Sequence, residues 1–227
     1  MRRAAVALGA LLVGASAPGV LAGTPARAGS LAWERTFGPA AVKPDLALRA
    51  KVEDAAGTSH SLELWRQGDK RLRRRGDEVL EIGVEDVGAP ASPAYAFTLV
   101  DLRGRTVRRL TPERARSLGP TYTWWPLAHL LGLPAPRYTL QRLTDPGLRV
   151  GPARCEWFLY APEALPEQRI CWSREFAVAL RVDEKQGTRW SPRLTVESLR
   201  AILPTDPGLR LDTTGLREMA IPEPDDD

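Results

Sequence analysis

The side chains that most often carry out catalysis are scarce in this chain, which has only two histidines and two cysteines among 227 residues. His60 lies between two serines, and His129 lies in an apolar segment far along the chain. We find no Gly-x-Ser-x-Gly nucleophile elbow, no His-Glu-x-x-His motif and no glycine-rich phosphate loop. No pair of carboxylates stands out as an acid and a base. We therefore expect a protein that is not an enzyme and that has no metal and no cofactor.

An enzyme acting on lipids or glycans is the alternative to this expectation. It would require His60 or His129 to lie within hydrogen-bond reach of a carboxylate, inside a pocket.

Cys155 and Cys171 are the only cysteines in the chain. The segments Arg154–Tyr160 and Gln168–Ser173 are typical of two strands joined by a turn. A hairpin centred on Glu163 would place the two cysteines directly opposite each other, at a distance that a disulfide can bridge. We predict a structural disulfide, because redox-active pairs are usually close in sequence and near a helix N-terminus.

The first 28 residues have the composition of a secretory signal peptide. Arg2 and Arg3 form a positive start, and Ala4–Val13 is an apolar run of suitable length. Two possible cleavage sites made of small residues end at Ala22 and at Ala28, and we favour cleavage after Ala28. An uncleaved membrane anchor is the alternative, but the apolar run is short and interrupted for a bilayer span.

Two features predict an exported protein without a stable membrane anchor. Thr24 follows Leu21-Ala22-Gly23 at the position where a bacterial lipoprotein carries its acylated cysteine. No later segment has 18 uninterrupted apolar residues. The excess of Arg (28) over Lys (4) and the many alanines are typical of a high-GC bacterium, so we expect the periplasm as the compartment.

The net charge of +4 does not indicate a nucleic-acid partner. Residues 1–28 carry three arginines and no acid, so the rest of the chain has 29 basic and 28 acidic side chains. A nearly neutral chain has no overall field that attracts a polyanion. We therefore expect no binding to nucleic acid.

The hydrophobic pattern predicts an antiparallel meander followed by a short helical region and more strands. The first predicted strands are Leu46–Val52, Ser59–Arg66, Lys70–Arg75, Val79–Val84, Tyr95–Leu102 and Arg105–Leu110. A strand over Arg137–Leu143 is predicted before the two cysteine-bearing strands. After them we predict strands over Ala177–Val182 and Trp190–Leu199. A helix over Val196–Leu203 is an open alternative for the end of the last strand. Short turns join neighbouring strands, and no alternating helices support a parallel sheet.

Two short helices are predicted in the middle of the chain. Thr111 is a good N-cap, Pro112 suits the first helical position, and Gly119 ends the segment. A second helix is predicted from Thr123 to Leu131, with Gly132 as its stop.

The resulting fold class is mainly β (α+β): a large curved antiparallel half-barrel sheet of about nine to eleven strands with one or two short helices inserted mid-chain. We predict a signal peptide over 1–28, a single domain over 29–215 and a flexible acidic tail over 216–227.

The segment around the second helix is the most apolar stretch after the signal peptide. At helical spacing Trp124, Leu127 and Leu131 share one face. That face either packs in an ordinary core or forms the wall of a cavity. The candidate ligand-binding residues are Trp65, Trp124, Trp125, Leu127 and Leu131.

The densest basic run, residues 70–75, is split by a strand into two faces. Arg71, Arg73 and Arg75 lie on one face, and Lys70, Leu72 and Arg74 lie on the other. The first three form a candidate basic patch for lipid headgroups or an acidic partner, and the alternative is a solvated edge strand.

The layout as a whole resembles the LolA/LolB-like half-barrel proteins. The resemblance rests on the Leu62-Glu63-Leu64-Trp65 to Lys70-Arg71-Leu72-Arg73-Arg74 hairpin, the strand around Val100-Asp101-Leu102, the mid-chain helical insert, and the late strands running from Gly151 through Cys155-Glu156-Trp157-Phe158 to Cys171-Trp172-Ser173. The resemblance spans residues 33–215, and it assigns no functional residue of the family to a position in this chain.

In that family a curved sheet wraps helices around a hydrophobic cavity. Its members carry the acyl chains of lipoproteins across the periplasm, or sense lipids or lipoproteins. The resemblance therefore implies a non-enzymatic periplasmic protein that binds an acyl chain, a lipoprotein or another apolar ligand in the concave face. The alternative is an envelope scaffold or accessory module with an envelope protein partner, whose half-barrel is filled by its own side chains.

Overall fold

The structure is a computed structural model, and it describes residues 30–38, 43–89, 92–117 and 123–220. The predicted signal peptide and the last seven residues of the predicted tail lie outside the described residues.

Twelve strands of the described chain form one sheet. These strands are β1 (Leu46–Glu53), β2 (Ser59–Gln67), β3 (Arg71–Gly76), β4 (Leu80–Asp86), β5 (Tyr95–Asp101), β6 (Thr106–Leu110), β7 (Tyr138–Arg142), β10 (Glu156–Pro162), β11 (Gln168–Ser173), β12 (Val178–Gln186), β13 (Arg189–Ala201) and β14 (Arg217–Glu218). Their order across the sheet is β14-β6-β5-β4-β3-β2-β1-β13-β12-β11-β10-β7. A separate two-stranded ribbon consists of β8 (Arg149–Val150) and β9 (Ala153–Arg154).

The sheet is curved and does not close on itself, which confirms the predicted fold class. Neighbouring strands pair antiparallel, except that β14 pairs parallel with β6. The helices of the described residues are short: α1 (Trp33–Phe37), α2 (Pro112–Ser117) and α3 (Trp124–His129). None of the described helices has the length and apolar character needed to cross a bilayer.

The structure decides one alternative that the sequence left open and corrects one predicted helix end. The stretch 196–201 is strand, because it pairs with β1 from Leu46↔Ala201 to Ala50↔Val196, and this tertiary pairing decides between helix and strand. Helix α3 ends at Leu130, which is in the left-handed region at φ 55°, and not at Gly132. Arg66 donates a hydrogen bond to the carbonyl of Ala128, so a tertiary contact closes the last turn.

The two faces of the sheet have different partners. We call the face that carries Leu46, Leu48 and Leu64 the helix face, because α1 and α3 pack on it; the opposite face, which carries Ala47 and Trp65, is the outer face. The alternation predicted for β1 holds, with Leu46, Leu48 and Ala50 buried. Burial of these side chains is the main favourable contribution to folding, at about 1.5–3 kcal/mol per fully buried large aliphatic side chain.

Aromatic rings dock α1 on the helix face. Phe37 is completely buried, and its ring packs edge-on against Phe158 and Trp172, each with centroids 5.3 Å apart. Trp33 packs in the same way against Tyr160 at 5.1 Å. Each such pair adds about 0.5–1.5 kcal/mol beyond burial of its area, so α1 is an integral part of the core.

The predicted disulfide joins Cys155 and Cys171, with Cα atoms 5.3 Å apart. The predicted hairpin register is wrong by two residues, because Cys171 pairs with Trp157 and not with Cys155. Strand β10 begins only at Glu156, and the backbone N–H of Cys155 donates instead to the carbonyl of Leu148. Cys155 therefore lies outside the β10–β11 ladder, and the disulfide ties the β8–β9 ribbon to β11.

Removal of this disulfide is expected to destabilise the protein. A Cys155→Ala/Cys171→Ala variant should lose about 3 kcal/mol of unfolding free energy, because a cross-link over this separation restricts the unfolded chain. Denaturant unfolding followed by tryptophan fluorescence measures the difference. Reductant should lower the midpoint of the unchanged protein and leave that of the variant unaltered; a midpoint insensitive to reductant would contradict the prediction.

Residues 202–216 cross the outer face after β13. Gly208 lies directly against the indole of Trp65, and Leu211 lies against Gly83 on β4. The chain then reaches the far edge of the sheet, where the N–H groups of Arg217 and Met219 donate to the carbonyls of Arg105 and Val107. The first residues of the predicted flexible tail are thus part of the sheet, because they satisfy the hydrogen-bonding groups of its edge.

Candidate functional site

On the helix face of β3–β6, the side chains are buried at one end of the strands and mostly half-buried or exposed at the other end. Three transverse rows of side chains, each with one residue per strand, show the change. The first row, Leu72, Val84, Phe97 and Leu110, is buried. The second row is Arg74, Ile82, Leu99 and Arg108, and only Ile82 in it is buried. The third row is Gly76, Leu80, Asp101 and Thr106, and none of these is buried.

We call the region of the second and third rows the open end of the helix face. Leu80 and Leu99 are half-buried there, and a Cβ built at Gly76 would meet no atom within 4 Å. On β1 and β2 the same rows are closed, since Leu48, Ala50 and Leu62 are buried. The open end is therefore a local gap over an apolar floor, confined to the β3–β6 part of the sheet.

The opposite end of the helix face is filled by α3. Trp124 stacks on Tyr95 of β5 with ring centroids 4.7 Å apart. Trp125 lies 4.1 Å from the ring of His129, and Trp172 lies 6.1 Å beyond that ring. These aromatic contacts occupy the space in which the sequence pattern suggested a cavity wall.

The structure brings four of the five candidate ligand-binding residues together. Trp124, Leu127 and Leu131 are buried among other core side chains, and Trp125 is half-buried against the same core. Trp65 lies on the outer face, and the sheet separates it from the other four. Its ring is covered by the guanidinium of Arg73 at 4.9 Å. The sequence of β2 already indicates that Trp65 faces the other side of the sheet, because Trp65 is out of phase with Leu62 and Leu64.

Arg66 is the most unusual residue near α3, since its side chain is completely buried on the helix face. Its Nη1 donates to the carbonyls of Ala128 at 2.8 Å and Ala177 at 3.1 Å, and its Nη2 donates to the carbonyl of Phe176. Burial lowers the pKa of Arg66 to about 10, so it remains a cation at neutral pH. A cation near the last carbonyls of a helix is favourable, and here it joins α3 to the loop before β12.

His129 lies beside this cation and cannot serve as a base at neutral pH. Its Nδ1 donates to the carbonyl of Ala177 at 2.5 Å, and burial lowers its pKa to about 3. The described structure places no carboxylate against it, so the neutral ring packs as a core side chain.

The candidate basic patch is on the outer face, and carboxylates neutralise much of it. Arg73 and Arg75 both bind the buried carboxylate of Glu81, at 2.7 and 2.5 Å. Arg71 donates to the side-chain oxygen of Gln67 at 2.7 Å. The pairing of two cations with one buried carboxylate satisfies a charge that would otherwise be costly to bury.

A cleft of about 310 Å³ is also present on the outer face, beside Trp65. It is lined by Ala47, Leu48, Arg49, Glu63, Trp65, Ser198, Leu199 and Arg200. Its charged groups are already paired, Arg49 with Glu63 at 2.8 Å and Arg200 with Asp206 at 2.9 Å. These ion pairs would have to be broken before an ionic ligand could bind, so the cleft is a weaker candidate than the open end.

His60 has two carboxylate partners. Its Nδ1 lies 2.6 Å from Asp77, and its Nε2 lies 3.4 Å from Asp54. The hydrogen bond to Asp77 and then that to Asp54 raise the pKa of His60. The side chain is 36% exposed at the surface, where water screens these charges. The group provides a surface charge cluster and not an acid and base inside a cavity.

The stability of the protein should depend on this cluster in a pH-dependent way. Because folding raises the pKa of His60 above 6.5, its contribution is fully present below that pH and is lost as the pH rises through the folded pKa. A His60→Gln variant should therefore be less stable than the unchanged protein at about pH 5.5 and nearly equal to it at about pH 8.5. Thermal unfolding at the two pH values measures this. An equal difference at both would contradict the prediction, since burial prevents His129 from titrating in this range.

In the described residues no group of three or more His, Cys, Asp or Glu side chains could hold a metal ion. Several site residues were not selected from the sequence: Arg66, Arg74 and the open-end residues Gly76, Leu80, Ile82 and Leu99. The available signal was alternation, which places Arg66 in phase with Leu62 and Leu64 and places Arg74 in phase with Leu72.

No family model and no curated protein matches this chain. Among solved structures, the crystal structure of MucB is similar at 14% identity and a TM-score of 0.46, over 79% of this chain and 62% of that one. The complex of MucA and MucB from Pseudomonas aeruginosa is similar at 14% identity and a TM-score of 0.41, over 74% of this chain and 56% of that one. A DUF1329 family protein from Desulfovibrio piger is similar at 11% identity and a TM-score of 0.28, over 72% of this chain and 88% of that one.

The chain thus spans less than two thirds of the length of the two MucB structures. Likeness this weak assigns neither a ligand nor a partner to this chain. The fold itself defines the protein class: an open half-barrel of antiparallel strands with short helices packed on one face.

Proposed function

We propose that this chain is a non-enzymatic binding protein of the bacterial envelope that holds an apolar ligand at the open end of its helix face. The observation that carries the proposal is the incompletely covered apolar floor of the half-buried Leu80 and Leu99, next to the buried Ile82 and beside the gap at Gly76. Ligand sites are typically concave, mostly apolar and bordered by a few polar groups. Arg74, Asp101 and Arg108 are the polar groups that border this floor.

The proposed site lies elsewhere on the helix face than the sequence pattern suggested. Trp124, Leu127 and Leu131 support it from the side as packed core residues, and they do not contact the ligand. An acyl chain suits the open end, because a flexible hydrocarbon can lie against the half-buried side chains of Leu80 and Leu99. Each methylene that it buries contributes about 0.8 kcal/mol.

The cellular setting of this proposal is the periplasm. The signal-peptide pattern of residues 1–28 supports export, and the Cys155–Cys171 disulfide is of a kind that persists in oxidising compartments. A carrier or sensor of acyl chains or lipoproteins, as the LolA/LolB-like resemblance implies, would use this setting.

A neutral fluorescent lipophile tests the proposed site. N-phenyl-1-naphthylamine should gain fluorescence with the unchanged protein, and Leu99→Arg should weaken its binding at least tenfold by placing a charge on the apolar floor. Val87→Arg is the matched control, because Val87 is an exposed hydrophobic residue outside the three rows. Absence of fluorescence gain with the unchanged protein, or equal binding by both variants, would refute the proposal.

A second function is favoured by the packing around α1 and α3. Because this end of the helix face is filled by the protein's own side chains, the chain also fits an accessory module that binds an envelope protein. That function predicts a stoichiometric partner in envelope extracts and a complex that survives Leu99→Arg. A lipophile that binds at Leu99 and no stoichiometric partner would exclude it.

A further inference from the structure

Arg74 differs from every other arginine of the basic run. It projects from β3 onto the helix face, where its row neighbours Leu64 and Ile82 are buried and apolar. Arg71, Arg73 and Arg75 alternate with it and lie on the outer face, where each has a hydrogen-bond partner.

The guanidinium of Arg74 makes no hydrogen bond or ion pair within the part of the chain that the structure describes. Arg66, another cation on this face, binds three carbonyls instead. Burial lowers the pKa of Arg74 to about 10, which leaves it charged at neutral pH. Arg74 is half-buried on this face, so its guanidinium is only partly hydrated and has no protein partner among the described residues; an anionic ligand group would supply one.

We propose that Arg74 binds the acidic head of an anionic amphiphile whose hydrocarbon tail lies on the floor of the open end. This inference rests on the proposed function and names its ligand class: an aliphatic chain with a terminal carboxylate or phosphate. Arginine suits both groups, because its planar fork of N–H donors matches two oxygens of a carboxylate or a phosphate.

The neighbouring charges support this orientation. Arg108 lies in the same row as Arg74, three strands away, which is about 14 Å across the sheet. Ile82 and Leu99 lie between the two cations and make the middle of this row apolar. The carboxylate of Asp101, in the third row, accepts a hydrogen bond from the backbone N–H of Gly104 at 2.7 Å, so it is held by its own turn.

Three ligands with the same twelve-carbon tail test the proposal: dodecanoate, dodecyl phosphate and dodecanol. Their affinities follow from displacement of N-phenyl-1-naphthylamine below the micelle concentration of each compound. The unchanged protein should bind at least one of the anions ten or more times more tightly than dodecanol. The preferred anion identifies the head as a carboxylate or a phosphate.

Two variants of Arg74 and one control separate its role from general effects. Arg74→Gln should remove the preference for the anion and leave dodecanol binding unchanged, whereas Arg74→Lys should retain most of the preference. Arg71→Gln is the control, because it removes a cation from the outer face of the same strand. Loss of an unpaired cation does not threaten folding, and thermal unfolding verifies this.

The inference and the proposed function fail in different ways. Equal affinity for all three ligands, or an anion preference that survives Arg74→Gln, would overturn the role of Arg74 and leave the apolar site intact. If neither the fluorescent probe nor any of the three ligands binds, the proposed function fails and the inference fails with it.

Discussion

Replacement of Arg66 by alanine is expected to lower the free energy of unfolding by about 3–5 kcal/mol. The variant would remove the Arg66 donor from the carbonyls of Ala128 and Phe176 in the interior, and would leave the carbonyl of Ala177 with His129 as its donor. It would also create a cavity where a completely buried side chain now packs. Urea unfolding followed by tryptophan fluorescence measures the change, because Trp124 and Trp172 are nearby core residues.

A matched variant distinguishes burial from charge in this experiment. Arg49 is also an arginine on a central strand, but its side chain is 73% exposed and pairs only with Glu63. Arg49→Ala should change the unfolding free energy by less than about 1 kcal/mol. Similar losses for the two variants would mean that Arg66 does not hold α3 to the loop before β12.

Phe37→Ala is expected to destabilise the protein by about 3–5 kcal/mol. Its ring is completely buried between Phe158 and Trp172, so the truncation removes the contacts of Phe37 with both rings and leaves a void. The effect measures how completely the helix face is filled at that end. The readouts are the midpoint and slope of chemical unfolding.

Leu80→Ala is the counterpart at the open end of the same face. Leu80 is only half-buried, so its truncation should cost markedly less than that of Phe37. If Leu80→Ala proved as costly as Phe37→Ala, the open end would be packed, and the proposed ligand site would lose its basis.

Local chemistry is enough to predict most strands of this protein. Leu46, Leu48 and Ala50 alternate with charged or small residues, and the turn at Gln67-Gly68-Asp69 joins β2 to β3 as predicted. The Cys155–Cys171 bond follows from the export signal and the flanking strand patterns. Such features depend on residues only a few positions apart, and that is why the sequence indicates them well.

Other predictions failed where a distant residue decided the outcome. Helix α3 ends at Leu130 and not at Gly132, since the side chain of Arg66 from β2 binds the carbonyl of Ala128 in its last turn. The pairing register around Cys171 differs from the predicted one because the backbone of Cys155 bonds to Leu148, so that Trp157 pairs with Cys171. The predicted strand over Trp190–Leu199 is present, and pairing with β1 excludes the helix that the sequence left open over Val196–Leu203. In each case tertiary contact outweighed a weak local preference.

By itself, the amino-acid sequence determined the antiparallel strands, the pair of bridged cysteines, and the separation of Arg71, Arg73 and Arg75 from Arg74 across one strand. Only the tertiary structure decided which parts of the sheet are covered. It placed Trp65 and Trp124 on opposite faces, filled one end of the helix face with α1 and α3, and left Arg74 without a partner among the described residues at the other end. The physical reason is that alternation is set by the backbone within each strand, whereas coverage depends on contacts between segments far apart in the chain.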